Sequence, residues 1–333
     1  MQAKTVIWTS FLPAATMPGM NAYPLTFEPI FKSRIWGGQR LKQVFDKKLP
    51  ADEKIGESWE LADLPQDKST IANGAWTGRS LGEIVALHAL DITGSVDSVG
   101  PFPLLIKLLD AQTALSVQVH PDAKTCRRTG KGDPKTECWY IMQADPGAFI
   151  YKGLKSGTTR AAFTQAIGTG SVENLLQKVP VRVGECHFLP SGTTHAIGSG
   201  LLIAEIQQPS DTTYRVFDFN RLGTDGKPRE LHVTDALESI HFDQDPGVLP
   251  VTTVGRLVDS EVFTVDKGHQ IQGSQVLLSA GVMRILILLD GEVLLTGTFA
   301  DVTVYGGMCV LIPATCETVM HFTEETEYLT VTL

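Results

Sequence analysis

Four short stretches of the chain carry side chains that could do metal chemistry together. In Leu115-Ser116-Val117-Gln118-Val119-His120-Pro121, polar and apolar residues alternate. On a strand, alternate side chains share a face, so Ser116, Gln118 and His120 point one way. Taken alone, this is equally the pattern of a strand with one solvated face. Lys135 and Glu137 also share a face if extended, a spacing that a surface ion pair would produce as well. The run from Gly184 to His195 reads G-x5-P-x-G-x2-H, which places a tight turn at Pro190 and Gly192 and sets His195 at the start of the next strand. Gln118, His120, Glu137 and His195 then offer two imidazoles, one carboxylate and one amide oxygen. Zinc takes such ligands and keeps a position open in catalytic sites. Two histidines and a carboxylate also make an iron facial triad, and the ligand types do not choose between the two metals. In Ser210-Asp211-Thr212-Thr213-Tyr214-Arg215, an extended backbone puts Asp211, Thr213 and Arg215 on one face. A carboxylate and a guanidinium beside a metal can serve proton transfer and anion binding. A structural Asp211–Arg215 pair is the plainer alternative.

These residues need strands to aim them. Segments of four to eight residues rich in Val, Ile, Leu, Phe and Thr recur between Gly, Pro and Asp, at 104–109, 115–120, 137–142, 201–207, 283–289 and 292–296. The spacing predicts an all-β sandwich or barrel. Helical periodicity is confined to 80–90, with Ser80 as its N-cap, and to about 160–178, read as two short helices broken at 168–170 and inserted on a barrel rim. A cluster of Asp, Pro and Gly at 241–250 marks a boundary. Beyond it, Gly307-Met308-Cys309-Val310-Leu311-Ile312-Pro313 echoes Gly184-Glu185-Cys186-His187-Phe188-Leu189-Pro190. With Pro313 aligned on Pro190, Thr318 takes the place of His195, so the second unit is expected to hold no metal. The organisation expected is an N-terminal extension at 1–22, a catalytic unit at 23–242 and a C-terminal unit at 243–333.

The 333 residues carry a formal net charge of -9, and 43% are hydrophobic. That allows about two domains with sizeable cores and disfavours nucleic acid, which needs a basic face. Five cysteines without a CxxC pair favour a reducing, cytoplasmic setting over a disulfide framework. No run of about 18 apolar residues predicts a membrane span. Lys4 and the apolar run 6–17 read as a poor signal peptide or as an upstream extension, with Met20 an alternative start.

The run ending at His195 matches the second sequence motif of the cupin superfamily completely. The chain as a whole resembles the short bacterial branch of the type I phosphomannose isomerases. The resemblance rests on Tyr23-Pro24-Leu25 with Phe31 and Trp36-Gly37-Gly38, on Gly56-Glu57-Ser58-Trp59-Glu60, and on 115–121, 135–140, 190–195 and 207–218. It implies a mainly β fold of two cupin-like jelly-roll barrels, and interconversion of mannose 6-phosphate and fructose 6-phosphate through a cis-enediol. It also implies one zinc per chain on Gln118, His120, Glu137 and His195. Arg215 becomes the catalytic arginine, Ser116 and Lys135 substrate-site residues, and Asp211 their acidic partner. Lys135 and Arg215 are each candidates for phosphate or enediolate contact. Longer relatives often carry a histidine where this chain has Pro134, so proton transfer falls to Lys135, a metal-bound water or another group. Glu57 and Glu205 are auxiliary carboxylates or structural charge partners. The implied partner is a small sugar phosphate, with no nucleic acid and no membrane, and the oligomeric state stays open. The rival readings are an iron dioxygenase on His120, Glu137 and His195, and a non-catalytic sugar-phosphate binding protein. Gln118 and the Lys135/Arg215 pair speak against the first, and the full ligand and arginine set against the second.

Overall fold

The protein is mainly β. The computed structural model describes residues 22–96, 100–223, 226–245, 247 and 249–333. The expected N-terminal extension lies outside the described residues except for Ala22.

The strands build four antiparallel sheets. The first runs in the order Ile30–Gly38, Ile55–Leu61, Leu105–Ala111, Leu201–Gln207, Glu137–Ala144, Cys186–Leu189. The second is Tyr214–Phe217, Val117–Val119, His195–Ile197, Phe149–Leu154, Leu176–Pro180. The third holds Cys309–Ile312, Arg284–Asp290, Thr326–Thr332, Thr264–Gln270 and Gly255–Asp259, and the fourth Gln275–Leu278, Thr318–Phe322, Glu292–Gly297 and Val302–Tyr305.

Alternation on buried strands sorts the side chains into layers. In Leu201–Gln207, Leu201 and Ile203 join Leu109, Trp139, Ile150 and Ile197 in a core between the first two sheets. Leu202, Ala204 and Ile206 face the other way and pack with Ile285, Leu311 and Val331 of the third sheet. Val119, Ala196 and Val216 lie on the far face of the second sheet, under Phe163 and Ala236 of two short helices. The first sheet is therefore buried on both faces, and its strands read as apolar runs for that reason. The two parts of the chain are also joined at the N-terminus, where Leu25–Thr26 pairs with Cys309–Ile312.

Helices occur in both expected regions, and Arg40–Phe45, Ala123–Thr129 and Val233–Ser239 add short helices that the sequence reading did not place. Ser80 caps Leu81–Leu87 in a reciprocal capping box with Glu83, and a second short helix, Ala89–Thr93, follows it. The segment at 160–178 is one helix, Arg160–Thr169, and a 3-10 turn, Val172–Leu175; Leu176 already opens a strand. The echoed Gly-x5-Pro runs share a backbone: Gly184 and Gly307 sit at φ 89° and 81°, each shortly before a four-residue strand.

Candidate metal centre and its cavity

Strand register brings the four ligand candidates together. His195 lies directly across from Gln118, and Arg215 flanks Gln118 on its other side. Glu137 arrives from the facing sheet, opposite Gln207. The turn before His195 depends on glycine at 192: its φ is 88°, and a Cβ there would sit 2.5 Å from the His241 ring. The Gly192 amide donates to the His120 carbonyl at 2.8 Å, tying the two histidine loops to each other.

His120, Glu137 and His195 are all buried, and their ligating atoms lie within 4.8 Å of one another. His120 Nε2 is 3.5 Å from Glu137 Oε2, and His195 Nε2 is 3.4 Å from Oε1. Each imidazole is oriented from behind. His120 Nδ1 donates to the Thr212 carbonyl at 2.7 Å and His195 Nδ1 to the Thr193 carbonyl at 2.9 Å. Such second-shell bonds fix the tautomer that leaves Nε2 free for a metal. Burial keeps both imidazoles neutral by pushing their pKa values down, with the Lys135 charge adding to the effect at His120. Neither oxygen of Glu137 has a hydrogen-bond partner among the described residues. Lys135 Nζ stands 3.0 Å from Oε2, at ion-pair distance but without hydrogen-bond alignment. A buried carboxylate and two imidazole lone pairs converge here; Lys135 Nζ and the Gln118 amide each stand 3.3 Å from one imidazole Nε2, but neither Glu137 oxygen is hydrogen-bonded, and a metal cation is a complement that would satisfy all three groups at once. The Gln118 amide completes the group at 3.3 Å from His195 Nε2. The donors therefore fit a divalent metal. All of them precede residue 245. In the second half, Thr318 opens the strand at the position corresponding to His195, and no second cluster of metal-ligating groups occurs among the described residues.

Gln118 and Lys135 line a cavity of about 540 Å³, and each also touches the metal cluster, Gln118 at 3.3 Å from His195 Nε2 and Lys135 at 3.0 Å from Glu137. Ser116, Asp211, Thr213 and Arg215 also line it. Every site residue predicted from the sequence is thus a cavity-lining residue or a member of the metal cluster. Two of the plainer alternatives left open for these residues are not found. The Lys135–Glu137 pair is buried, with side chains 4% and 1% exposed, and is not on the surface. No Asp211–Arg215 ion pair forms among the described residues; Arg215 Nε donates to Ser116 Oγ at 3.2 Å and Nη1 to the Glu230 carbonyl at 2.9 Å.

The structure adds residues that the sequence reading missed. Lys107 lies 3.1 Å from Glu205 and also lines the cavity. Trp139 packs edge-on against His195 at 5.3 Å and donates Nε1 to Glu205 at 3.0 Å. Arg229 reaches the cavity from an irregular segment. A charge between Leu105 and Leu109 on an apolar strand was the available signal for Lys107; nothing periodic marks Arg229.

Glu57 and Glu205 are both buried and both paired. Arg34 Nε holds Glu57 at 2.7 Å. Burial raises the Glu205 pKa, but the Lys107 and Lys135 ammoniums outweigh it and hold the carboxylate well below its usual range. A carboxylate held low contributes stability above its unfolded-state pKa, about 4.3, and loses that contribution as pH falls through the lowered value. Glu205→Gln leaves Lys107 short of a partner, so it should cost about 3–5 kcal/mol at pH 7. The gap between variant and parent, read by denaturant unfolding, should narrow below about pH 4. A gap independent of pH would show that the charge of Glu205 contributes nothing.

The geometry agrees with the chain's relatives. A family model described as phosphomannose isomerase type I, catalytic domain, matches residues 25–146. A mannose-6-phosphate isomerase of Streptococcus mutans is 37% identical over 302 residues, which cover 88% of this chain and 93% of that protein. The mannose-6-phosphate isomerase ManA of Bacillus subtilis is 36% identical over 285 residues, covering 82% and 87%. Among solved structures, the Bacillus subtilis mannose 6-phosphate isomerase superposes with a TM-score of 0.84 at 30% identity, covering 93% of this chain and 99% of that one. A mannose 6-phosphate isomerase bound with zinc and yttrium shares the fold, with a TM-score of 0.71 at 16% identity and coverage of 94% and 100%.

Proposed function

The chain belongs to the type I phosphomannose isomerase family and is an isomerase, and from that premise we propose that it interconverts mannose 6-phosphate and fructose 6-phosphate at a zinc site made by Gln118, His120, Glu137 and His195. The observation that carries the reading is the buried Glu137 carboxylate, which lacks a hydrogen-bond donor and faces two imidazoles whose outer nitrogens are already committed. When bound, zinc would supply a Lewis acid for the sugar oxygens and offset the charge of an enediolate.

The protein's own residues have the rest of the work. The reaction takes a proton from C2 of the open-chain aldose and returns one to C1, through a cis-enediol. Removing a proton from carbon is the demanding step, and fixed positive charge beside the developing oxyanion is the largest aid to it. Arg215 provides that charge from the cavity wall, held by Ser116 and the Glu230 carbonyl. Lys135, which lines the cavity and stands 3.0 Å from Glu137 of the cluster, is the group we assign to moving the proton. Asp211, with no ion pair of its own among the described residues, is assigned to acid–base help in opening the sugar ring. Ser116 orients Arg215 and contacts substrate.

The test pairs metal analysis with turnover of mannose 6-phosphate on one preparation. One zinc per chain is expected, with activity lost on chelation and restored by zinc in proportion to occupancy. Full turnover in the metal-free protein would overturn the zinc assignment. Oxygen consumption without isomerisation would return the iron reading.

A further inference from the structure

The cavity has two kinds of cation. Three of its cationic side chains each have a carboxylate to themselves: Arg34 with Glu57 at 2.7 Å, Lys107 with Glu205 at 3.1 Å and Lys135 with Glu137 at 3.0 Å. Arg215 and Arg229 do not. Asp218, only 6% exposed, is shared between two guanidiniums. It accepts from Arg229 Nε at 2.6 Å and Nη2 at 2.5 Å, and from Arg221 Nη2 at 2.6 Å. Two arginines therefore share one carboxylate, with Arg215 close enough to feel both of them, and the charge left over is positive.

The arginines that share Asp218 differ in what they have left to offer. Arg221 spends its remaining nitrogens on the chain itself: Nη1 donates to the Ala114 carbonyl and Nε to the Asp218 carbonyl at 3.3 Å. It is not among the cavity-lining residues. Arg229 is clamped by two nitrogens on Asp218 and lines the cavity, and its Nη1 makes no hydrogen bond among the described residues. A guanidinium held rigidly by one edge, with the other edge in a cavity, suits a tetrahedral oxyanion, because the ordering cost is already met by Asp218. Burial and the nearby Arg229 charge both depress the Arg215 pKa, as expected where positive charge is crowded.

We propose that Arg229, held in place by Asp218, is the residue that receives the phosphate of the substrate, leaving Arg215 and Lys135 to the reacting end. The inference rests on the sugar-phosphate reading of the same cavity. It divides the cationic roles by what each residue touches: Lys135 and Gln118 are in contact with the metal cluster, Arg215 stands across the strand pair from Gln118, and Arg229 is held on Asp218, outside that cluster. The two ends of an open-chain hexose phosphate lie several ångströms apart, so one cation serving both ends is not required. A phosphate monoester is close to dianionic at neutral pH, which matches the excess charge around Asp218.

Steady-state kinetics on the zinc-loaded enzyme tests this. Arg229→Met should raise KM for mannose 6-phosphate about 10–100-fold, with KM and not kcat carrying most of the loss in kcat/KM. Competitive inhibition by inorganic phosphate should weaken by a similar factor, and Arg229→Lys should recover part of both. Asp218→Asn should move KM in the same direction, because Arg229 loses its clamp. Arg221→Met should lower the melting temperature while KM stays at the parent value. An unchanged KM and phosphate inhibition in folded Arg229→Met would overturn the inference, and so would a KM effect at Arg34→Met in its place. If Arg229→Met does not fold, the Arg229→Lys values decide: parent-like KM and phosphate inhibition overturn the inference. A parent enzyme that does not turn over mannose 6-phosphate at all would instead remove the sugar-phosphate reading on which it rests.

Discussion

Glu137→Gln will lose both metal and turnover. Glu137 is the single carboxylate in the cluster, its side chain is 1% exposed, and both oxygens face imidazole nitrogens at 3.4–3.5 Å. The amide keeps the shape and removes the charge. It also turns one acceptor into a donor, aimed at His120 or His195 Nε2, where it would add to Lys135 Nζ and the Gln118 amide, each already 3.3 Å from one of them, and would compete with the metal. Metal affinity should fall by at least the 10–100-fold typical of outer-shell changes, since this is a direct ligand. Turnover at limiting zinc should fall with it, by about a thousandfold. Because the amide also leaves buried Lys135 without its carboxylate partner at 3.0 Å, the variant's apo form should melt below the parent's apo form. His195→Ala should lose metal as well, but by opening a cavity against Trp139 and not by removing a charge. Full zinc and full turnover in either variant would end the ligand assignment.

Much of this site was legible because period-two alternation is a strict rule. Ser116, Gln118 and His120 had to share a face, and the Gly-x5-Pro-x-Gly-x2-His run had to make a turn that positive φ at 184 and 192 permits. The alternatives weighed for the same residues failed for reasons of tertiary structure. Lys135 and Glu137 looked like a surface pair because nothing local shows that another sheet covers them. Asp211 and Arg215 looked like partners because they share a face if extended, yet the strand begins only at Tyr214 and the Ser116 hydroxyl takes up the guanidinium Nε. Burial on both faces of the first sheet hid which side of Leu201–Gln207 faced the cavity, so Glu205 could be named but not placed. The Leu25–Thr26 pairing with Cys309–Ile312 joins residues almost three hundred positions apart, beyond the reach of any local pattern. Arg229 was invisible for a related reason: its partner Asp218 is eleven residues away across an irregular turn, where neither strand nor helix period applies.

Arg215→Ala should separate binding from chemistry. The guanidinium flanks Gln118 across the strand pair but makes no hydrogen bond or ion pair with His120, Glu137 or His195 among the described residues. Zinc stoichiometry should therefore stay at the parent value. Even with its pKa lowered by burial and by Arg229, an arginine remains cationic at any working pH, which makes it a fixed charge and a poor proton carrier. A fixed cation beside an enediolate acts on the transition state, and removing one such donor costs about 10²–10³ in kcat. The loss should appear in kcat, with KM little changed, which is the reverse of the pattern expected at Arg229. Arg215→Lys should restore only part of the rate: it returns the charge but not the bridge from Ser116 Oγ to the Glu230 carbonyl. Two outcomes would break the assignment. A rise in KM with kcat intact would move the phosphate to Arg215 and empty Arg229 of its role. Near-normal kcat and KM in a zinc-loaded Arg215→Ala protein would leave the arginine as a tether between Ser116 and the 230 segment, and would transfer the stabilising charge to Lys135.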